Sequence, residues 1–232
     1  MSITQAVIMV AIFYLMFEIL GMRGTAIRGD FILYLMSGVF LFMTHNKALG
    51  AVVGAEGPTS AMMLHAPMNT VVAIMGAALA SLYQQVLAFG VILFVAHTLI
   101  RPIVIDDPVG MMYFFFLAWF SGAAIGMVLL AIKPWLPRFV GIVSQIYRRA
   151  NMIFSGKMFV ANTLPGYMLP MFMWNPLFHS IDQARGAIFI NYAPRVTNPD
   201  YPVWFGLAFI MLGLMGEFFT RKHASASWDA AR

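Results

Sequence analysis

Two neighbouring arginines, Arg148 and Arg149, lie within the apolar stretch SQIYRRANMIF. An arginine in such a segment stays charged, and its planar guanidinium pairs bidentately with phosphate or carboxylate groups. We therefore predict that one or both side chains line a path along which an anionic molecule crosses a membrane. The alternative is that the helix begins near Tyr147 and that both side chains reach the headgroups at a membrane surface.

A second group of polar residues lies in WNPLFHSIDQARGAIF, residues 174–189, between two strongly apolar regions. Asn175 is a preferred N-cap residue, and Pro176 suits the first helical position because its missing N–H would be unpaired there anyway. The spacing predicts a helix with one apolar stripe, formed by Leu177, Ile181, Ala184 and Ile188. The other side of the helix holds three polar residues that are candidates for a functional role: His179, Asp182 and Arg185.

This predicted helix is too short and too polar to span a bilayer. We therefore expect an amphipathic helix that lies in, or dips into, a membrane interface. Asp182 and Arg185 are three residues apart, a spacing at which opposite charges pair on a helix surface.

The composition identifies the kind of protein that carries these residues. The chain has 232 residues, of which 61% are hydrophobic and 10% charged, and its mean hydropathy is +0.82. About a quarter of the residues in a soluble domain are charged, so an integral membrane protein is predicted. The absence of cysteine excludes disulfides and thiolate metal sites. The net charge of +5 suggests contact with anionic headgroups or an anionic cargo rather than with nucleic acid.

The apolar runs predict an all-α polytopic membrane protein in which residues 1–232 form a single domain. A span needs about 20 apolar residues, and six runs qualify, at approximately 3–21, 29–49, 71–99, 109–132, 137–158 and 202–220. The first run lacks the basic start and the cleavage site of a signal peptide, so it is predicted to be retained. Lys and Arg divide evenly between the two sides, but the cluster TRKH after the last run favours a cytoplasmic C-terminus. An even number of spans then places the N-terminus in the cytoplasm as well.

The long connection before the last span has an unusual composition. The segment ANTLPGYMLPMFM contains two prolines and a glycine in an apolar setting. Irregular backbone at membrane depth is tolerated only where it is buried in protein or faces a water-filled cavity. We therefore predict a re-entrant region over 162–190, and the alternative is an interfacial helix that covers the end of the bundle.

Several motifs together resemble a known family. FSGKMF, LPGYMLPMFMWNPLFHSIDQARGAIF and DYPVWFGLAFIMLGLMGEFFTRK are similar, in order and spacing, to the C-terminal half of the ABC-2 type permeases. The likeness is closest to exporters of capsular and other cell-surface polysaccharides. It extends more loosely through GDFILYLMSGVFLFMTHNKALGAV and covers about residues 29–222. The family more often has Glu at the position of Asp182, and its members usually begin with a basic amphipathic helix that is not evident here.

The resemblance implies a half-transporter, the transmembrane subunit of an exporter in the bacterial inner membrane. Two copies would pair, and two separate nucleotide-binding ATPase subunits would supply ATP hydrolysis. The chain has no G-x-x-x-x-G-K-[ST] motif and is predicted to be neither an enzyme nor a binder of any cofactor or metal, with ATP and Mg on the partner. Periplasmic or outer-membrane export components are further expected partners, and nucleic acid is not.

The resemblance also assigns roles to residues. The region 50–66 corresponds to the segment that couples the family's permease to its ATPase, and the alternative there is a solvated loop. The coupling candidates are Glu56, Thr59, Ser60 and His65. The region 162–190 corresponds to a periplasmic gate, whose helix would carry Asn175, Pro176, His179, Asp182 and Arg185.

Aromatic residues make up 15% of the chain, and sugars stack on aromatic faces. A translocation path for a polysaccharide could therefore be lined by Arg148 and Arg149 together with Tyr14, Phe17, Trp119, Tyr147 and Phe154. The alternative for each aromatic is an ordinary place facing lipid or in the interfacial belt. Among other charges within spans, Glu217 is expected to pair with Arg221 one turn later.

Other functions are compatible with the same composition. An exporter of a drug or a lipid would share the architecture and differ in its cargo. A membrane-embedded enzyme is disfavoured because the five histidines are scattered along the chain. An ion-coupled carrier is disfavoured because no inverted repeat is visible.

Overall fold

The computed structural model describes residues 31–55, 70–99 and 102–223, with isolated positions at 8, 27 and 57. Within these ranges every regular element is a helix, which confirms the all-α prediction for the part of the chain described. The seven α-helices are α1 (Phe31–Val53), α2 (Thr70–Leu99), α3 (Pro108–Ile132), α4 (Pro137–Phe154), α5 (Pro170–Met173), α6 (Pro176–Ile188) and α7 (Tyr201–His223). A single 3-10 turn, Ala161–Thr163, lies between α4 and α5. Of the predicted first span, 3–21, only the isolated position 8 is described.

Three of the described helices are long and apolar enough to cross a membrane. They cover Thr70–Thr98, Pro108–Ile132 and Tyr201–His223, where the sequence predicts the third, fourth and sixth spans. The predicted second and fifth spans correspond to the helices α1 and α4, neither of which is among those three. Arg138, Arg148, Arg149 and Asn151 make α4 more polar than those three.

Proline and a capping side chain fix the start of two helices. Pro108 opens α3 directly after Asp107, whose carboxylate accepts from the backbone N–H groups of Val109 at 3.1 Å and Gly110 at 2.9 Å. At α6 the side-chain oxygen of Asn175 accepts from the N–H of Leu177 at 3.0 Å. Both caps satisfy donors that the first turn of a helix leaves unpaired.

The helix α3 is the centre of the bundle and packs against α1, α6 and α7. Its approach to α1 is very close at Gly122, where a β-carbon would lie 2.3 Å from the carbonyl oxygen of His45. Small residues at such contacts let two backbones pack directly, which is how helices associate where the hydrophobic effect is weak. The connection after α3 adds a polar tie, because Lys133 Nζ donates to the carbonyl oxygen of Val53 at the end of α1 at 2.9 Å.

The helix α6 lies inside the bundle, in contact with α1, α3 and α7. Leu177, Ile181, Ala184 and Ile188 are all buried, as the predicted apolar stripe requires. The opposite face is buried too, since His179, Asp182 and Arg185 are each 1% exposed. The polar face of α6 therefore lies against other parts of the protein, whose groups hydrogen-bond those side chains. The placement of the helix in, or dipping into, a membrane interface stays a prediction.

Candidate functional site

The most extensive polar contacts of α6 come from Arg185, near its C-terminal end. One terminal nitrogen, Nη1, donates to the carbonyl oxygens of Gly156 at 2.9 Å and Phe159 at 2.6 Å. The other, Nη2, donates to the carbonyl oxygen of Lys157 at 2.7 Å. The guanidinium also stacks over the ring of Tyr34 on α1, 4.3 Å from its centre. Arg185 therefore ties α6 to the turn that follows α4 and to α1.

Gly156 gives this turn its shape. Its φ of 71° lies in the left-handed region, which strongly favours glycine. A β-carbon there would also lie 2.7 Å from the ring of Phe178 on α6. The backbone thus reverses direction at Gly156. This turn presents the carbonyl oxygens of Gly156, Lys157 and Phe159 to the guanidinium of Arg185.

Asp182 does not pair with Arg185, although their spacing suggested it. Its carboxylate accepts hydrogen bonds from the hydroxyls of Tyr192 and Thr197, the latter at 2.7 Å. Burial raises the pKa of the Tyr192 hydroxyl, and the hydrogen bond to Asp182 raises it further. Asp182 thus holds the segment after α6 against the helix, and a neutral Tyr192 remains the donor at physiological pH.

His179 is held on both ring nitrogens. Nδ1 lies 2.9 Å from the backbone nitrogen of Asn198 and must accept its proton, so Nε2 carries the hydrogen and donates to the carbonyl oxygen of Met173 at 2.8 Å. Burial lowers the pKa of His179, which favours this neutral form. The ring also packs on that of Tyr201, with centroids 4.5 Å apart.

Asn175 joins the start of α6 to the end of α4. Its amide nitrogen donates to Asn151 Oδ1 at 2.8 Å and to the carbonyl oxygen of Phe154 at 3.0 Å, while its oxygen caps α6. Both hydrogens of the amide are therefore used, and the side chain is fully buried. The two ends of α6 are thus attached to the last turn of α4 and the turn after it.

A second buried polar contact lies one turn earlier on α4, at Tyr147. Its hydroxyl lies 3.0 Å from His45 Nε2, and His45 Nδ1 lies 3.0 Å from the carbonyl oxygen of Ala118 on α3. A carbonyl can only accept, so Nδ1 carries the hydrogen and Nε2 accepts from Tyr147. His45 therefore connects α1, α3 and α4. This role was not predicted from the sequence, where its signal was a histidine at the end of an apolar run.

The described residues that were predicted to line a translocation path have different surroundings, and a shared path stays a prediction. Trp119 donates from its indole nitrogen to the carbonyl oxygen of Ala78 on α2 at 2.9 Å. Phe154 packs against the rings of Phe172 and Trp174. Tyr147 and Arg148 are half-buried, and Arg149 is exposed. The other two path candidates, Tyr14 and Phe17, lie outside the described residues.

Two further predictions concern the residues expected to contact the ATPase and the expected pair of Glu217 with Arg221. The coupling candidates Glu56, Thr59, Ser60 and His65 lie outside the described residues. Glu217 is buried and Arg221 is exposed. Glu217 Oε1 has no hydrogen-bond partner in the part of the chain described, so this oxygen takes no part in the expected pair.

No protein-family model matches the chain, and no curated protein matches it. Among the described residues, no three His, Asp or Glu side chains lie together so that they could hold a metal ion. A functional interpretation therefore depends on the geometry of α6 and its surroundings.

Proposed function

We propose that this chain is the transmembrane permease subunit of an ATP-driven ABC exporter, which moves a lipid-linked polysaccharide across the bacterial inner membrane. One observation carries the proposal. The helix α6 has 13 residues, too few to span a bilayer, and is nevertheless buried among the long helices, with both ends attached to α4 and the turn after it. A short helix enclosed at the end of a bundle is suited to open or close a path between two such bundles.

The complete transporter in this proposal has a second copy of the chain and two separate ATPase subunits. Each chain has six spans, with both termini in the cytoplasm, and the region 50–66 contacts the ATPase. The described helices are compatible with this order, because α1 ends within the first residues of the region, at Val53, and α2 follows it. The α6 helix lies near the periplasmic end.

A route for the coupled motion follows from the polar contacts. Displacement of the end of α1 by the ATPase reaches α4 through His45 and Tyr147, which lie 3.0 Å apart. Motion of α4 reaches α6 through Asn175 at one end and Arg185 at the other. Interhelical hydrogen bonds in a membrane contribute only about 0.6 to 2 kcal/mol each, so these joints can exchange partners during a cycle.

The function is tested by purifying the tagged chain from its native membranes and by deleting its gene. We expect an ATP-binding protein to purify with the chain, and surface polysaccharide to be lost on deletion and restored by the intact gene. Purification without any nucleotide-binding protein, with surface polysaccharide unchanged by the deletion, would contradict the proposal. Loss of a lipid or a drug resistance instead would favour the exporter of a smaller cargo.

The gate assignment has its own test. Replacing Ser180 by proline interrupts α6 in its middle, where proline costs about 3 kcal/mol or more. We expect export to stop while the two copies still assemble. The control is Ile190→Ala, just beyond the helix, where the side chain is 77% exposed. Normal export by the proline variant would remove the gate role.

A further inference from the structure

A cavity of about 660 Å³ lies between α1, α2 and α4. Its charged lining residues are Lys47 of α1 and Arg148 of α4, and the described residues that line it include no Asp or Glu. Asn46 and Gln84 add amide groups, while Phe42 and Met43 contribute apolar surface. Among the described lining residues, two cations therefore share one cavity without a carboxylate to balance them.

The donors of both cations are available to a ligand. Arg148 uses its Nε for the carbonyl oxygen of Ser144 at 3.1 Å. Its two terminal nitrogens, and Nζ of Lys47, have no hydrogen-bond acceptor within the described ranges. Gly50 leaves the room for this guanidinium, because a β-carbon there would lie 3.4 Å from Nη1.

Partly buried cations without counter-ions are costly, and the cost is greater in a membrane protein than in water. A bound anion would remove much of that cost. The planar fork of Arg148 suits a tetrahedral phosphate, which accepts two parallel hydrogen bonds, and the ammonium of Lys47 adds a point charge. The apolar part of the lining would accommodate the first carbons of an attached chain.

From these contacts we infer that the cavity between α1, α2 and α4 is a binding site for the phosphate group of an anionic amphiphile, held by Arg148 and Lys47. The inference deepens the proposed function, because it gives Arg148 a ligand. It rests on the proposed function in one respect only, namely that the bound amphiphile is the molecule that the exporter moves.

The test measures lipid retention and not export, so the two proposals fail separately. The full chain is purified into phosphatidylcholine nanodiscs containing a minor fraction of phosphatidylglycerol. The number of phosphatidylglycerol molecules retained is counted by native mass spectrometry. We expect Arg148→Gln and Lys47→Gln each to weaken retention about tenfold, the equivalent of one lost charge-assisted hydrogen bond.

The matched control is Arg149→Gln, because Arg149 adjoins Arg148 in sequence, is exposed and does not line the cavity. Retention by this variant equal to that of the parent chain supports the inference, as does retention by Arg148→Lys well above that of Arg148→Gln. Equal retention by all three glutamine variants overturns it. Thermal unfolding of each variant shows that it is folded, and Lys47→Gln keeps the test decisive if Arg148→Gln unfolds.

Inorganic pyrophosphate, added as a soluble competitor, separates the two sources of phosphate. Displacement of phosphatidylglycerol by pyrophosphate supports a site that recognises the phosphate group alone. Retention of the lipid against pyrophosphate supports a headgroup site that also requires the attached chain. Phosphatidylglycerol bound no better than phosphatidylcholine by the parent chain overturns the inference.

Discussion

Arg185 donates to the carbonyl oxygen of Lys157 at 2.7 Å, across 28 residues of sequence. Two further carbonyl oxygens, those of Gly156 and Phe159, accept from the same guanidinium. Replacing Arg185 by alanine would leave these buried acceptors without donors, and each such loss costs about 1 to 3 kcal/mol. We expect a destabilisation on the order of 3 kcal/mol, measured by unfolding of the purified chain in detergent. Arg195→Ala, at an exposed position, is the control, and equal stability of the two variants would contradict the assigned role.

Gly156→Ala tests the turn that supplies these carbonyls. The left-handed conformation costs an L-residue about 1 to 2 kcal/mol, and the new methyl group would meet the ring of Phe178 at 2.7 Å. We expect a loss of stability of at least about 2 kcal/mol. Gly166→Ala is the control in the same connection, because nothing lies within 4 Å of its added β-carbon. If both variants unfold at the same temperature as the parent chain, the turn does not constrain α6.

The His45–Tyr147 contact predicts a loss of stability in the variant Tyr147→Phe. The change leaves His45 Nε2 buried without its donor, which costs about 1 to 3 kcal/mol. A double-mutant cycle with His45→Leu should give an interaction energy of at least about 0.5 kcal/mol. Chemical unfolding of the four chains measures it, and Tyr113→Phe, on an exposed part of α3, is the control. An interaction energy of zero would mean that the two helices are not joined there.

A dependence of stability on pH follows from His179. Its pKa is lowered by burial, so the folded protein binds a proton less readily than the unfolded chain, whose histidine has a pKa of about 6.5. The stability contributed by the neutral ring is fully present above about pH 6.5 and is lost as the pH falls toward the lower folded pKa. The variant His179→Gln should therefore lose less of its melting temperature than the parent chain between pH 7.5 and pH 5. His223→Gln, at an exposed position, should behave as the parent does, and identical slopes for all three chains would contradict the prediction.

The sequence was sufficient to locate α6 but not its partners. Asn175 and Pro176 act through local backbone groups, so a capped helix beginning at 176 could be predicted from neighbouring residues. Arg185 acts on carbonyl oxygens almost thirty residues away, which no side-chain pattern encodes. The same reason explains why its pairing with Asp182 was expected: the nearest opposite charge in sequence is not the nearest acceptor in space.

The position of the helices was predicted better than their membrane character. Long apolar runs identified α2, α3 and α7, since composition alone decides whether such a segment can cross lipid. The run that became α4 stays a predicted span, because its arginines and Asn151 make it more polar than the other three, with Asn151 buried against Asn175 and Arg149 exposed. Which side of a helix is enclosed depends on its neighbours, and one sequence does not reveal them.

In the connection that follows α4, Arg185 donates hydrogen bonds only to main-chain oxygen atoms. The identities of the side chains at 157 and 159 are therefore irrelevant to this attachment, provided that the chain follows the same path. Substitution at these two positions changes the contacts of Lys157 with Phe42 and of Phe159 with Phe172 but should leave the attachment to Arg185 in place, whereas inserting or removing a single residue between 156 and 159 should break it. The attachment therefore depends on the length of this connection and not on its side chains at 157 and 159. One library that contains both substitutions and insertions in the connection measures the two effects separately.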